Sequence, residues 1–340
     1  MQNESSACRR TSIGGQALIE GIMMRGPKKT SVCCRMADGS ITTDIIEDKR
    51  IKDKVKILGW PLIRGIVNLV ESMKLGYKAL MISADKSLDE ETEKEQEKKD
   101  GKKGGVPAPV MSALMVVAAI IGVVIAIALF AYLPSLLFDF INKQTNFTIT
   151  GFKTIFEGVL KIGIFVGYIA LIATMKDIKR MFMYHGAEHK TIFCYEHGEE
   201  LTVENVRKYK RFHPRCGTSF MILMLLVGIV VSSILGIAFD ELLMPKMRIF
   251  WVIIKILLVP VICGLGYELI KVCGKYDNKL TRIISAPGMW MQRLTTKEPD
   301  DSMIEVAIQA LKEVLPGDDS DIIDIAGHKG LKTNDLASNS

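Results

Sequence analysis

The run Tyr184-His185-Gly186-Ala187-Glu188-His189 sets two imidazoles four residues apart, with a carboxylate beside the second. On a helix those rings stack one turn apart on one face, as two ligands must to share a metal ion. In an H-x-x-E-H arrangement the glutamate is the general base, taking a proton from a water that the metal has acidified to a pKa of about 7. His185 and His189 are therefore expected as metal ligands and Glu188 as the catalytic carboxylate. The expected cofactor is a divalent cation, zinc first, and the reaction class is metal-assisted hydrolysis of a peptide or ester bond. With five histidines in 340 residues, a chance match is rare, on the order of 0.4%. The bland alternative is two surface histidines beside a solvated glutamate.

Such a site needs a third ligand and an open position. Glu268, in Gly264-Leu265-Gly266-Tyr267-Glu268-Leu269, is one candidate, because a carboxylate near an apolar run is costly unless paired or metal-bound. Its ordinary reading is an interfacial glutamate partnered by Lys271 or Lys275. The turn His213-Pro214-Arg215-Cys216-Gly217 is the other, offering an imidazole and a thiol three residues apart. Its ordinary reading is a helix-entry turn, with Arg215 meeting lipid headgroups. His197, next to Gly198, reads as a charge at a helix C-terminus.

The segment Gly14-Gly15-Gln16-Ala17-Leu18-Ile19-Glu20-Gly21-Ile22-Met23-Met24-Arg25-Gly26-Pro27 is not a phosphate loop, since no G-K-[ST] follows. Either it forms a strand-and-turn core edge, or Gln16, Glu20 and Arg25 lean over the metal site from an N-terminal domain. Cys33 and Cys34 are adjacent on an expected strand and so face opposite ways, which argues against a shared metal.

The elements that must position these groups follow from charge and hydropathy. Hydrophobic residues make up 49% of the chain and charged residues 24%, with mean hydropathy +0.23, so the apolar excess is concentrated in blocks. Val110–Leu133 lies in an uncharged run of 35 residues between Lys103 and Asp139, and Cys216–Phe239 is uncharged over 24. Both are long enough to cross a bilayer core. Phe152–Met175, interrupted by Lys153, Glu157 and Lys161, and Ile249–Val272, with Lys255 and Glu268, complete four expected spans. The i,i+4 charges at 153, 157 and 161 suit the end of a span, where long stems reach the interface.

The link 139–151 holds one basic residue, 240–248 two, and 176–215 nine. The positive-inside rule therefore puts both termini and the long link on the cytoplasmic side of a multi-pass protein of the cytoplasmic membrane. Seven scattered cysteines suggest no disulfide framework, and Met1–Arg10 does not resemble a cleavable signal. A net charge of +6 gives no nucleic-acid signature; the lipid bilayer and an unidentified membrane-proximal substrate or protein are the expected partners.

The expected fold is mainly α, an integral membrane protein with about four transmembrane helices and a small α+β N-terminal cytoplasmic domain. That domain covers 1–105: a hairpin of Val32–Met36 and Ile41–Ile46 around Asp38-Gly39, an amphipathic helix Pro61–Ile82 suited either to the membrane surface or to packing against the hairpin, and a charged linker Asp85–Gly105. The membrane domain takes 106–272, with its His-rich link at 176–217 on a helix continuing from the second span. A C-terminal cytoplasmic helical segment, 273–315, holds a capping box of Ser302 and Glu305, and a disordered tail, 316–340, follows Pro316-Gly317.

The blocks Gly14–Pro27, Tyr184-His185-Gly186-Ala187-Glu188-His189-Lys190, Arg211-Phe212-His213-Pro214-Arg215-Cys216-Gly217-Thr218-Ser219-Phe220 and Gln292-Arg293-Leu294-Thr295-Thr296-Lys297-Glu298-Pro299 resemble the bacterial YqhQ family, from about Ser12 to Leu315. The resemblance implies a bacterial multi-pass membrane protein of unassigned function, in a family sometimes labelled predicted metal-dependent enzymes. Its motif residues fall on His185, Glu188, His189, His213 and Cys216.

Three readings follow. The first is a zinc hydrolase at the inner membrane face. The second is a non-catalytic assembly or biogenesis factor with a structural metal. The third is a small transporter with Glu157, Lys161, Lys255 and Glu268 lining a path, against which their placement near span ends counts.

Overall fold

The computed structural model describes residues 9–47, 60, 63–98, 108–146, 152–239, 248–276 and 278–323. The chain is mainly helical, with a small antiparallel sheet near its start. The sheet has the order β1 (Gly14–Leu18), β2 (Gly21–Arg25), β3 (Lys29–Arg35), β4 (Ile41–Glu47), each strand pairing its sequence neighbour. Hairpin β3–β4 forms as the Asp38-Gly39 signal predicts, with Gly39 at φ 85° and Arg35 opposite Ile41. Ten α-helices follow among the described residues: α1 (Ile63–Lys98), α2 (Ala108–Ile127), α3 (Leu133–Gln144), α4 (Lys153–Ile172), α5 (Lys176–Glu196), α6 (Val203–Arg207), α7 (Gly217–Phe239), α8 (Arg248–Lys275), α9 (Lys279–Thr295) and α10 (Asp301–Val314).

The described residues fall into two compact units. One contains the sheet, most of α1, α5, α6, α9, α10, the first turns of α7 and the second half of α8. Strand alternation gives the sheet two apolar faces. Ile22, Met24 and Cys33 pack against Tyr184 and Ala187 of α5 and Met303, Ala307, Leu311 and Val314 of α10. Leu18, Met23, Val32 and Cys34 pack against Ala79 of α1, with Leu75 and Ile82 beside it. Cys33 and Cys34 do face opposite sides. Each large aliphatic side chain buried here contributes about 1.5–3 kcal/mol.

The other unit contains α2, α3, α4 and the remaining parts of α7 and α8. Phe138 and Phe156 meet there with ring centroids 5.5 Å apart, and Gly158 lets Ile229 approach α4 closely. Glu157 is buried with Lys161 at 3.8 Å, and Lys153 bonds Asp139 at 3.2 Å, so these charges are paired within the unit.

Among the described residues three helical stretches are long and apolar enough to cross a membrane: Val116–Gln144, running through a π-helical turn at Ala128–Tyr132, then Ile155–Ile172 and Gly217–Ile234. They correspond to the first three expected spans. The fourth, Ile249–Val272, lies on α8, whose side chains are only partly described; Lys255 is among those outside.

Four local expectations are corrected. The helix expected at Pro61–Ile82 extends to Lys98, so much of the expected linker is helical: Lys, Glu and Gln are good helix formers, and no Gly or Pro intervenes between Tyr77 and Gly101. α5 does not continue from the second span but restarts after α4 at N-cap Met175. α10 is capped by Asp300, which accepts from Met303 N at 2.9 Å, while Ser302 bonds Asp300 and Glu305 pairs with Arg35. The expected disordered tail begins in order, with a 3-10 turn at Asp319–Asp321 and an Ile322 bridge to Thr11; residues 324–340 lie outside the described ones.

Candidate metal centre

The two histidines sit mid-way along α5, and a strap formed by residues 295–299 crosses that helix at Gly186. The Lys297 amide donates to the Phe182 carbonyl at 2.8 Å. A β-carbon at Gly186 would overlap the Lys297 carbonyl oxygen, so only glycine admits the strap there. Beyond it, buried Lys190 pairs with Glu298, which also takes Arg211 at 3.2 Å. One function of the strap is to aim His185, whose Nδ1 lies 2.8 Å from the Thr295 carbonyl oxygen. His189 is held likewise, Nδ1 2.5 Å from the Arg211 carbonyl oxygen.

A carbonyl only accepts, so each Nδ1 carries a proton, and a ring without a second proton presents the lone pair of Nε2. The rings stand edge to face with centroids 4.4 Å apart. Cys216, just before α7, brings its Sγ to 3.1 Å from His185 Nε2. One donor atom from each of His185, His189 and Cys216 lies within 4.8 Å of the other two. Thr218 supports the sulfur from the first turn of α7 with its amide at 3.4 Å and its hydroxyl at 3.1 Å. Such contacts at a helix N-terminus favour a thiolate.

Glu188 lies beside this triad and is 5% exposed. Its Oε1 accepts from the Gly15 amide of β1 at 2.9 Å, while Oε2 is buried with no hydrogen-bond partner among the described residues. Gly15 is required for the approach: a β-carbon there would lie 2.5 Å from the Met23 carbonyl oxygen and 3.0 Å from Glu188 Cδ. Burial pushes the Glu188 carboxyl up to about 7, against the opposing influence of His185. Burial, and then the neighbouring His185, push His189 down to about 4, so its ring is neutral at pH 7.

The residues fit a bound cation. Two imidazole lone pairs and a sulfur converge with nothing positive between them, a repulsive arrangement unless a proton or a metal is shared. Donor bonds of about 2.0–2.3 Å suit a tetrahedral set of two nitrogens and one sulfur with one further position.

The other expected ligands are placed elsewhere. Glu268 is gripped bidentately by Arg64 of α1 at 2.6 and 2.5 Å, beside an Asn68–Tyr267 hydrogen bond of 2.8 Å. Neither Lys271 nor Lys275 is needed to explain its position; the partner comes from a helix 204 residues away. His213 lies next to His189, centroids 5.5 Å apart, yet it faces away from the triad chemically. Its Nδ1 accepts from the Arg215 amide at 3.3 Å and its Nε2 stands 3.6 Å from Glu196. Arg215, expected at lipid headgroups, instead pairs with buried Glu196. His197 caps α5, with Nδ1 2.7 Å from the Phe193 carbonyl oxygen and Gly198 next at φ 72°.

Of the early segment, Gly15 reaches the site, whereas Glu20 binds Arg180, Arg25 pairs with Glu71, and Gln16 meets Gly76 of α1. Sequence reasoning assigned no role to Gln292. It is fully buried, accepts from the His213 amide at 2.7 Å, and donates to the His213 carbonyl at 2.7 Å and to Ser219 at 3.0 Å. This clamp fixes the turn that carries Cys216. The signal available was a glutamine on the apolar side of an amphipathic helix.

Comparison with known proteins adds a family and no activity. A family model described as "Protein of unknown function (DUF1385)" matches residues 60–317. The chain is similar to the "Uncharacterized protein YqhQ" of Bacillus subtilis (strain 168), 32% identical over 305 residues that cover 89% of this chain and 92% of that protein. No solved structure matches.

Proposed function

The chain belongs to the YqhQ family, and from its site we propose that it is a metal-dependent, zinc-preferring hydrolase of peptide or ester bonds. The observation that carries this is the convergence of His185, His189 and Cys216 donors within 4.8 Å beside a buried Glu188 oxygen with no partner among the described residues. When bound, the cation supplies Lewis acidity and a water acidified toward neutral pH.

The protein's own groups supply the rest. The Thr295 and Arg211 carbonyls lock both rings as Nδ1–H tautomers. The Gly15 amide holds one oxygen of Glu188, and the other is left to accept a proton and return it to a leaving group. The three membrane-length helices and the charge of the links support a multi-pass protein of the cytoplasmic membrane, with both termini and the site inside. Cys216 directly precedes the apolar stretch Gly217–Ile234, which favours substrates close to the membrane surface.

One feature favours a second reading. Glu188, His189 and Cys216 are all buried, as around a closed structural site. Elemental analysis of detergent-purified protein, with hydrolysis of casein and of small esters, separates the two. Glu188→Gln retains zinc and loses hydrolysis if it is the base. Zinc retained in both forms with no hydrolysis by either establishes the structural reading, and zinc-free protein in both forms removes both.

A further inference from the structure

The sheet has two edges, and they are finished differently. β4 carries Asp44 and Glu47, and Lys86 binds Asp44 and Thr42, so its surface is charged in the manner that discourages strand addition. β1 begins with exposed Gly14 and Gly15 and has no charged residue.

The polarity of the β1 edge follows from one hydrogen bond. The Gly15 amide points away from β2, because it donates to Glu188. In an antiparallel ladder outward groups recur every second residue. The Gly15 carbonyl and both the amide and the carbonyl of Ala17 therefore also point outward. Among the described residues nothing hydrogen-bonds to these three groups. The Ala17 amide lies one dipeptide repeat, about 6.8 Å, from the amide that holds the base.

Resting on the hydrolase reading, we infer that the substrate is an extended polypeptide segment that adds to β1 as a fifth strand. An unpaired C=O, N–H, C=O sequence is complementary to peptide backbone and to little else of that length. A strand seated on Ala17 carries its next peptide bond toward Glu188. At Gly14 a β-carbon would meet nothing within 4 Å, so the start of the strand is open. A small ester or a lipid has no repeating amide with which to use this edge.

The test is binding of a fluorescein-labelled unfolded casein peptide to zinc-loaded Glu188→Gln protein in detergent, followed by anisotropy. In that background Ala17→Pro deletes the outward amide without touching the β1–β2 ladder and is expected to weaken binding about tenfold. Ala17→Val keeps the amide and stays within about twofold of the parent. If Ala17→Pro fails to retain zinc, the deciding arm is the same peptide with N-methylated backbone against the unaltered edge; it is expected to bind about tenfold more weakly. Absence of binding, or equal binding by Ala17→Pro and by the methylated peptide, overturns the inference. Hydrolysis of small esters by the wild-type protein is scored separately. Failure on those esters and on casein alike removes the hydrolase reading while edge binding still stands, and hydrolysis without edge binding does the reverse.

Discussion

Two buried histidine clusters lie side by side in this protein, built from the same residue types and finished in opposite ways. Around His213 the ring and the carboxylate beside it are answered: an amide on Nδ1, Glu196 near Nε2, Arg215 and the Thr11 amide on that carboxylate, and Gln292 on the backbone. Around His185 and His189 carbonyls hold the protonated nitrogens, so the Nε2 atoms turn inward toward the Cys216 sulfur, 3.1 Å from that of His185, and the atom left without a partner among the described residues is Glu188 Oε2. The difference lies in what faces Nδ1. An N–H there occupies the lone pair of Nδ1; a C=O there leaves the opposite nitrogen's lone pair available, which is the arrangement a metal ligand requires.

Substitutions can sharpen or break that contrast. The largest effect is expected in the open cluster. Glu188→Gln should reduce hydrolysis by about 10²–10⁴-fold at unchanged zinc content, and His185→Ala or Cys216→Ala should lose the zinc itself by elemental analysis. Retention of zinc by His185→Ala erases the distinction between the clusters.

In the closed cluster the effect should fall on stability. Glu196→Gln leaves Arg215 without its buried partner and should cost about 3 kcal/mol in denaturant unfolding, with zinc retained. Burial opposes the charge on Glu196, but His213 and Arg215 prevail and hold its carboxyl below the ordinary range. A depressed folded value means that the contribution is complete above the unfolded value of about 4.3 and disappears as pH falls through the folded one. Unfolding midpoints measured down through pH 4 should drop in the wild type and drop less in Glu196→Gln.

Gly186→Ala should act between the clusters, displacing the strap and weakening zinc affinity about 10–100-fold in a competition titration with a chelator. The smallest effect belongs to Glu268→Gln. Its pair with Arg64 is partly exposed, so the change should cost about 0.2–1 kcal/mol and leave zinc binding unaltered.

What was legible in the sequence follows this same division. The 185/189 pair is a local signal: helical periodicity alone puts both rings on one face. The β3–β4 hairpin and the three long apolar helices are local too. The choice among Glu268, His213 and Cys216 was not, because it depends on who else competes for each side chain. Arg64 claims Glu268 from 204 residues away, and Gln292 claims the His213 backbone from 79 residues away. The restart of α5 at Met175 was hidden because no proline or glycine marks the break between α4 and α5.

The packing of α10 under the sheet has a consequence for synthesis. Ser31 bonds the Ala310 carbonyl at 2.7 Å across 279 residues, and Thr11 bonds Asp321 across 310. The strands therefore emerge from the ribosome with one oily side bare, and they wait through the translation of every membrane-length helix before the last of its cover arrives. A nascent chain in that state is a natural client for a chaperone, and shortening the gene by its final helix should leave the sheet permanently exposed to proteases.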